Sequence, residues 1–303
     1  MQLETIEESF ERFSEVSMTF LYDGSFPGLF CAAFEAHGMA PSESDKNLEF
    51  KSTGAAVPGA GAALVTRTME LSFDDEFLVK TDVQKARNLW KACAEQGSTK
   101  ALGTCYEAFC SDFDMIDNSV GRILCRVLEE TSKPFALDNL GDDDELMVVK
   151  ASGRTLNQAE KLCGLLRFSE LKDGILYATI SPDCDILQFL APHFEARLPH
   201  FNFVIHDRKR AKAVLHESGA PAHIVEGIDF VATGTNSRVD TGAVDTGIDT
   251  LKSPQAAYSS QELELRQYWQ RYFSAIAIQA RKDPGLQANR MPKKYWADLP
   301  ELS

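Results

Sequence analysis

Four side chains in the second half of the chain could serve as acid, base or ligand in one cleft: Asp183, His193, His206 and Asp207. Convergence of these groups would give an enzyme that acts on nucleic acid. Asp183 also stands between an apolar run and a helical pattern, so it could simply cap a helix by accepting backbone N–H bonds. His193 and Arg197 are four residues apart and would share a helix face able to hold a phosphate or a proton; the alternative is a histidine satisfied by its neighbours.

Two basic segments are candidates for contact with nucleic acid. The first is the turn Arg208, Lys209 and Arg210, whose concentrated positive charge suits phosphate oxygens. The alternative for this turn is a solvated hairpin tip with charges that block the sheet edge. The second segment mixes cations with aromatic rings that could grip a backbone and stack on a base, or only pin the tail to the core. The tail candidates are Arg290, Lys293, Lys294, Tyr295 and Trp296, and Arg167 is a further nucleic-acid-binding candidate.

Three other patterns carry weaker signals. The Asp-Thr-Gly tripeptide of aspartic proteases occurs at residues 240–242 and again at 245–247, too close together for two facing lobes, so a flexible loop is the better interpretation. The acidic run at residues 142–145 is more typical of a solvated loop than of a metal site. Seven cysteines are scattered without a CxxC pair, which predicts mostly buried, reduced thiols. We therefore expect neither a metal nor another cofactor.

The formal net charge of -14 argues against a protein that coats nucleic acid non-specifically, because an acidic surface repels phosphates. Any contact with DNA must then be local. Residues 1–17 carry five glutamates where an export signal would have a basic start and an apolar run. No apolar stretch is long enough to cross a bilayer. These features predict a cytoplasmic protein without a membrane contact.

The N-terminal half is predicted to be mainly helical. Residues 1–17 form an extension, residues 19–22 a short strand, and residues 26–37 an apolar helix. Residues 41–68, rich in Gly and Ala toward their end, are predicted to be a loop insertion. Further helices are expected at residues 81–96, 99–110 and 115–131.

The C-terminal half changes to a strand-rich pattern after residue 154. The turn at residues 172–174 predicts a hairpin, and a helix is expected from residue 182 to residue 196. Strands are predicted at residues 165–171, 175–181, 201–206 and 213–216, a ββαββ order typical of an antiparallel sheet packed by helices.

The predicted architecture is α+β in two domains. A mainly helical domain covers residues 18–150, and an α+β domain covers residues 151–303. The second domain closes with a helix at residues 261–282 and an aromatic-anchored tail.

Several ordered strings carry a family resemblance. They are Phe20-Leu21-Tyr22-Asp23-Gly24-Ser25-Phe26, Leu166-Arg167-Phe168, Glu170-Leu171-Lys172-Asp173-Gly174, Leu190-Ala191-Pro192-His193-Phe194 and Met291-Pro292-Lys293-Lys294-Tyr295-Trp296. From about residue 18 onward the chain resembles a DNA-metabolism family encoded beside a radical-SAM protein. The C-terminal domain of that family, of unknown function, is also found fused to uracil-DNA glycosylases. The resemblance implies a DNA-repair or DNA-modification context and a radical-SAM partner, but no catalytic residues.

Two positions depart from the family pattern. Cys163 and Cys184 stand in segments where relatives have histidines, so a catalytic role of those histidines elsewhere would make this copy altered or inactive. Three hypotheses remain open. The first is a DNA-repair or DNA-modification accessory protein that contacts nucleic acid through its basic segments, beside a radical-SAM partner. The second is a nucleic-acid-processing enzyme with the Asp/His site, and the third is a protein scaffold that never touches DNA.

Overall fold

The computed structural model describes residues 18–39, 47–54, 75–129, 134–227, 258–276 and 283–299. The chain divides into two compact units, Met1–Thr155 and Leu156–Ser303. The described elements confirm the α+β prediction: helices dominate the first half, and a largely antiparallel sheet dominates the second. The predicted extension at residues 1–17 and the tripeptides at 240–247 lie outside the described residues.

Unit 1 is built on a three-stranded parallel sheet. Of these strands, the first alone was predicted from the sequence. The order is β2-β1-β3, with β1 at Met18–Tyr22, β2 at Leu48–Ser52 and β3 at Asp75–Leu78. Phe20 stacks on the rings of Phe50 and Phe77, its register partners on the two outer strands, with centroids 5.8 and 5.1 Å away. Because β2 lies inside residues 41–68, the prediction of a loop insertion there is wrong for this stretch.

The helices of unit 1 cover the sheet and follow the predicted ones closely. They are α1 at Phe26–Met39, α2 at Val83–Cys93, α3 at Thr99–Phe109 and α4 at Ile116–Glu129. A π-helical turn, Ala94–Ser98, joins α2 to α3, and Gly97 takes a φ of 95° there that an L side chain rarely adopts. Helix α4 lies directly on β2, because Gly121 leaves room for the Phe50 ring and the Asn118 side chain accepts a hydrogen bond of 2.6 Å from the Phe50 amide.

Helix α5, Asp143–Leu165, was not predicted, and it corrects two interpretations. Residues 154–165 are helical, so the strand-rich pattern begins later than the sequence suggested. The acidic run is also not a solvated loop. Asp142 accepts the amides of Asp144 and Glu145 at 3.0 and 3.1 Å and so caps the helix, and Asp144 forms a two-pronged ion pair with Arg122 at 2.7 and 2.8 Å.

Unit 2 contains a five-stranded sheet in the order β4-β5-β6-β7-β8. The strands are β4 at Ser169–Glu170, β5 at Leu176–Ile180, β6 at Phe203–Asp207, β7 at Lys212–His216 and β8 at His223–Glu226. The predicted hairpin and the ββαββ order are confirmed, and β8 is an addition. Strands β5 and β6 are parallel, joined through helix α6, Leu187–Arg197, and the other neighbours are antiparallel.

The last described elements of unit 2 are three helical segments. Helix α7 is Ser260–Ile276, helix α8 is Pro284–Arg290, and a 3-10 helix spans Lys293–Asp298. Arg266 of α7 donates to the hydroxyl of Ser169 in β4, and Tyr295 of the 3-10 helix belongs to the buried core of the unit. These contacts attach helix α7 and the 3-10 helix to unit 2.

Candidate nucleic-acid interface

The carboxyl ends of the parallel strands β5 and β6 bring two loops to one edge of the sheet. Ile180 and Asp207 are register partners, and the amide of Arg208 donates to the Ile180 carbonyl at 3.0 Å. Residues 181–186 leave β5 there, and residues 208–211 form the turn from β6 into β7. The carboxyl edge of parallel strands is where α/β proteins commonly bind ligands.

Asp183 lies at this edge, but it does not cap helix α6. The helix begins four residues later, its N-cap is Ile186, and no side chain caps it, so the capping interpretation is wrong. The Asp183 carboxylate instead pairs with Lys294 and accepts a hydrogen bond of 3.2 Å from Gln158. Gln158 fixes the loop a second time, because its side-chain oxygen accepts the Cys184 amide at 2.8 Å.

A buried ion pair between Asp207 and Arg210 connects the two loops. Asp207 is fully buried, and its carboxylate accepts the Arg210 guanidinium and the Lys209 amide, both at 2.9 Å. Arg210 also donates to the backbone carbonyls of Pro182, at 3.2 Å, and Asp183. Arg210 is therefore mainly a structural residue of the turn and is not available as a simple phosphate ligand.

Lys209 and Lys294, one from each predicted basic segment, meet at the loop after β5. Arg208 and Lys209 are exposed, and the Lys209 ammonium lies 3.4 Å from the Asp183 carbonyl. Lys293 and Lys294 are exposed on the 3-10 helix, and Lys294 pairs with the Asp183 carboxylate. We call Arg208, Lys209, Lys293 and Lys294 the basic edge.

The aromatic residues of the tail have different environments. Tyr295 is buried in the core, so it anchors the tail, whereas Trp296 is half-buried and donates to the Met291 carbonyl at 2.8 Å. Lys293 lies over the Trp296 ring and Lys294 over the Tyr295 ring, 5.9 and 4.9 Å from the centroids. Of the two rings, Trp296 retains accessible surface that a base could contact.

Arg290 and Arg167 are both exposed. Arg290 ends helix α8, next to the 3-10 helix that carries the two lysines. Arg167 follows helix α5 and donates to the carbonyls of residues 164–166 at 3.1 to 3.4 Å, which caps the helix end.

The two predicted catalytic histidines lie in different surroundings from Asp183. His206 is buried, and its Nδ1 is 2.9 Å from the Tyr177 hydroxyl. His206 and Asp207 are successive residues of one strand, so their side chains point to opposite faces of the sheet. His193 is exposed on α6 and packs edge-on against Phe194, with ring centroids 4.9 Å apart. Arg210 links the Asp183 carbonyl to the Asp207 carboxylate, whereas His206 contacts Tyr177 and His193 packs on Phe194.

Lys212, which was not predicted as a site residue, extends the charged network along β7. Its ammonium lies 3.0 Å from both the Asp185 and the Glu226 carboxylates. Burial lowers the pKa of Lys212, but the two carboxylates outweigh this effect and raise the pKa above its ordinary value. Glu226 lies on β8, which was not predicted, and no local signal in the sequence marks this pairing.

The cysteines are structural in six of seven cases. Six are buried thiols outside any disulfide, as predicted, and Cys163 is a half-buried thiol. Burial raises the pKa of the Cys31, Cys93, Cys105 and Cys163 thiols, which keeps these side chains protonated at neutral pH. No group of three or more potential metal ligands occurs among the described residues.

Comparison with known proteins gives one match. No curated protein and no solved structure matches the chain. No helix among the described residues is long and apolar enough to span a membrane. A family model described as a domain of unknown function, DUF4130, matches residues 118–301. Since this match covers more than half of the sequence, the chain belongs to the DUF4130 family.

Proposed function

We propose that this protein is an accessory factor of DNA repair or DNA modification that contacts the phosphate backbone of nucleic acid through its basic edge. The main support for this proposal is that Lys209 and Lys294, which lie more than eighty residues apart in the chain, both contact Asp183 in the loop after β5. Lysine and arginine at such an edge bind phosphates without reading sequence. A radical-SAM partner is part of the proposal and rests on the sequence resemblance alone.

The charge distribution agrees with a local contact. The whole chain carries a net charge of -14, so general attraction to DNA is excluded, and binding depends on the few cations of the basic edge. The half-buried Trp296 ring adds a surface on which an unpaired base could stack. The combination favours single-stranded DNA over duplex.

The experiment is a fluorescence-anisotropy titration of labelled single-stranded and duplex DNA across a salt series. The test variant is Arg208→Gln with Lys209→Gln, which removes two exposed cations and leaves Arg210 in place. The control is Arg87→Gln with Lys100→Gln, an equal change of charge at exposed positions of unit 1. Each phosphate contact on a single strand contributes about 0.7 to the slope of log affinity against log salt. We expect the test variant to lose about 1.4 from this slope and the control to lose nothing.

The other hypotheses predict different results. A scaffold that never touches DNA gives no binding at low salt in any variant. An enzyme built on Asp183 loses activity on Asp183→Asn, whereas a phosphate-binding surface gains affinity because a repelling carboxylate is removed. Equal slopes for the test variant and its control would refute the basic edge as the contact surface.

A further inference from the structure

A cleft of about 400 Å³ lies elsewhere in unit 2, between the end of helix α5, strand β5 and the end of helix α6. Its volume falls in the range of roughly 300–1,000 Å³ that is usual for small-molecule sites. Its main lining residues are Cys163, Arg167, Phe168, Leu176, Phe194 and Arg197. The cleft thus combines two guanidinium groups with an apolar, aromatic wall.

The aromatic wall is fixed by packing. Phe168 meets Phe194 and Phe203 edge to face, with centroid distances of 5.3 and 5.7 Å. Phe194 and Phe203 are almost fully buried and belong to the core of the unit. A planar ring entering the cleft would therefore meet a preformed surface and would not have to order it.

The two arginines give the cleft a positive rim. Arg167 is held in place by its bonds to the carbonyls of residues 164–166. Arg197 is exposed in the last turn of α6 and makes no hydrogen bond or ion pair with the described residues. A guanidinium presents donors in a planar fork that fits two oxygens of a phosphate.

We propose that this cleft binds a mononucleotide, with the base against Phe168, which Phe194 supports from behind, and the phosphate at Arg167 and Arg197. The compact volume favours one ring system with one anionic group over an extended acyl chain. The residues that line the cleft are different from those of the basic edge, so the proposal goes beyond contact with the DNA backbone. It identifies a place for a single nucleotide, free or at the end of a strand.

Cys163 provides a built-in reporter, because it lines the cleft and is the one half-buried thiol of the seven. We would measure its alkylation by iodoacetamide at mildly alkaline pH by peptide mass spectrometry, with the buried cysteines as internal references. A bound ligand slows alkylation by the factor by which it depletes the free protein, about tenfold at ten times its dissociation constant. The ligands are dAMP, deoxyadenosine and inorganic phosphate.

The expected result is saturable protection by dAMP, with weaker protection by deoxyadenosine and by phosphate at the same concentration. Arg197→Gln should abolish most of the protection, Arg197→Lys should retain part of it, and the control Arg87→Gln should retain all of it. Circular dichroism melts of each variant establish that the fold is intact, as expected for exposed positions.

Four outcomes would overturn the proposal. No protection by dAMP up to about 10 mM would leave no meaningful affinity. Equal protection by deoxyadenosine, or unchanged protection in Arg197→Gln, would remove the phosphate site. Equal protection by inorganic phosphate would remove the base site. None of these outcomes affects the DNA titration at the basic edge, so the two proposals fail independently.

Discussion

Replacing Arg210 by alanine should destabilise unit 2 severely, whereas replacing its neighbour Arg208 should not. The Arg210 guanidinium is the ion-pair partner of Asp207, which is 0% exposed, and it also holds two carbonyls of the loop after β5. After truncation the buried carboxylate keeps the hydrogen bond from the Lys209 amide but loses its charged partner. The three basic residues of this turn are therefore not equivalent.

The size of the effect follows from burial. Removing one partner of a buried ion pair costs about 3–5 kcal/mol because the other charge stays unpaired in the interior. The Arg210 side chain is 20% exposed, so water reaches the vacated position and reduces the cost. We expect a loss of about 2–4 kcal/mol for Arg210→Ala. Arg208→Ala, at an exposed position, should stay within about 0.5 kcal/mol of the native protein.

Urea unfolding at pH 7, followed by circular dichroism and tryptophan fluorescence, measures these differences. Asp207→Asn combined with Arg210→Ala should recover part of the loss, because the double variant no longer buries an unpaired charge. A native-like midpoint for Arg210→Ala, or equal losses for Arg208→Ala and Arg210→Ala, would refute the assignment of Arg210 as the structural residue of the turn.

Two further predictions concern unit 1. Asp142→Ala should cost about 1 kcal/mol at pH 7, the usual value of a helix cap. Partial burial opposes ionisation of Asp142, but the Glu145 amide and Arg126 outweigh this effect and lower the pKa of the carboxyl group. The stabilisation by the ionised cap is therefore complete above the ordinary carboxyl pKa and is lost as pH falls through the lowered value. Urea unfolding at pH 7 and in acid measures this dependence, and a cost of Asp142→Ala that grows in acid would contradict the assignment. Gly121→Ala should cost about 1–3 kcal/mol, since its Cβ would lie 2.3 Å from the Phe50 ring, whereas the matched control Gly103→Ala, with open space, should stabilise. Thermal melts of both variants test this, and a neutral Gly121→Ala would contradict the close packing of α4 on β2.

The sequence predicted the local elements of the sheet in unit 2 well. The Lys172-Asp173-Gly174 turn indicates its hairpin through side-chain chemistry that acts within a few residues: the Asp173 carboxylate accepts the Ile175 amide at 3.2 Å, and Gly174 takes a φ of 80°. Strands β6 and β7 also contain apolar triplets in the sequence, Phe203–Ile205 and Ala213–Leu215. Such signals are local, so they can be recognised without knowing the rest of the fold.

The missed elements depend on distant partners. Strand β2 is five residues long and is stabilised by pairing with β1 and by packing of Gly121 on Phe50. Helix α5 begins with consecutive carboxylates that resemble a solvated loop until Arg122 and the helix amides are placed beside them. Neither pairing can be read from the short segment that contains it.

The candidate site was predicted in its residue types and not in its arrangement. The sequence marked both basic segments, but it could not show that Arg210 points inward to Asp207 or that Lys294 reaches Asp183. It also placed His206 and Asp207 in one cleft, although successive residues of a strand point to opposite faces of the sheet. Gln158, which fixes the loop that carries Asp183, lies on the unpredicted helix α5.

The central claim is that the basic edge binds phosphate, and Asp183→Asn tests it most directly. Asparagine keeps an oxygen that can accept the bond from Gln158, but it no longer neutralises Lys294. A partly exposed ion pair of this kind is worth up to about 1 kcal/mol, so we predict a two- to fivefold gain, roughly, in affinity for single-stranded DNA at low salt. Unchanged or weaker binding by Asp183→Asn, measured by anisotropy beside the native protein, would contradict the claim.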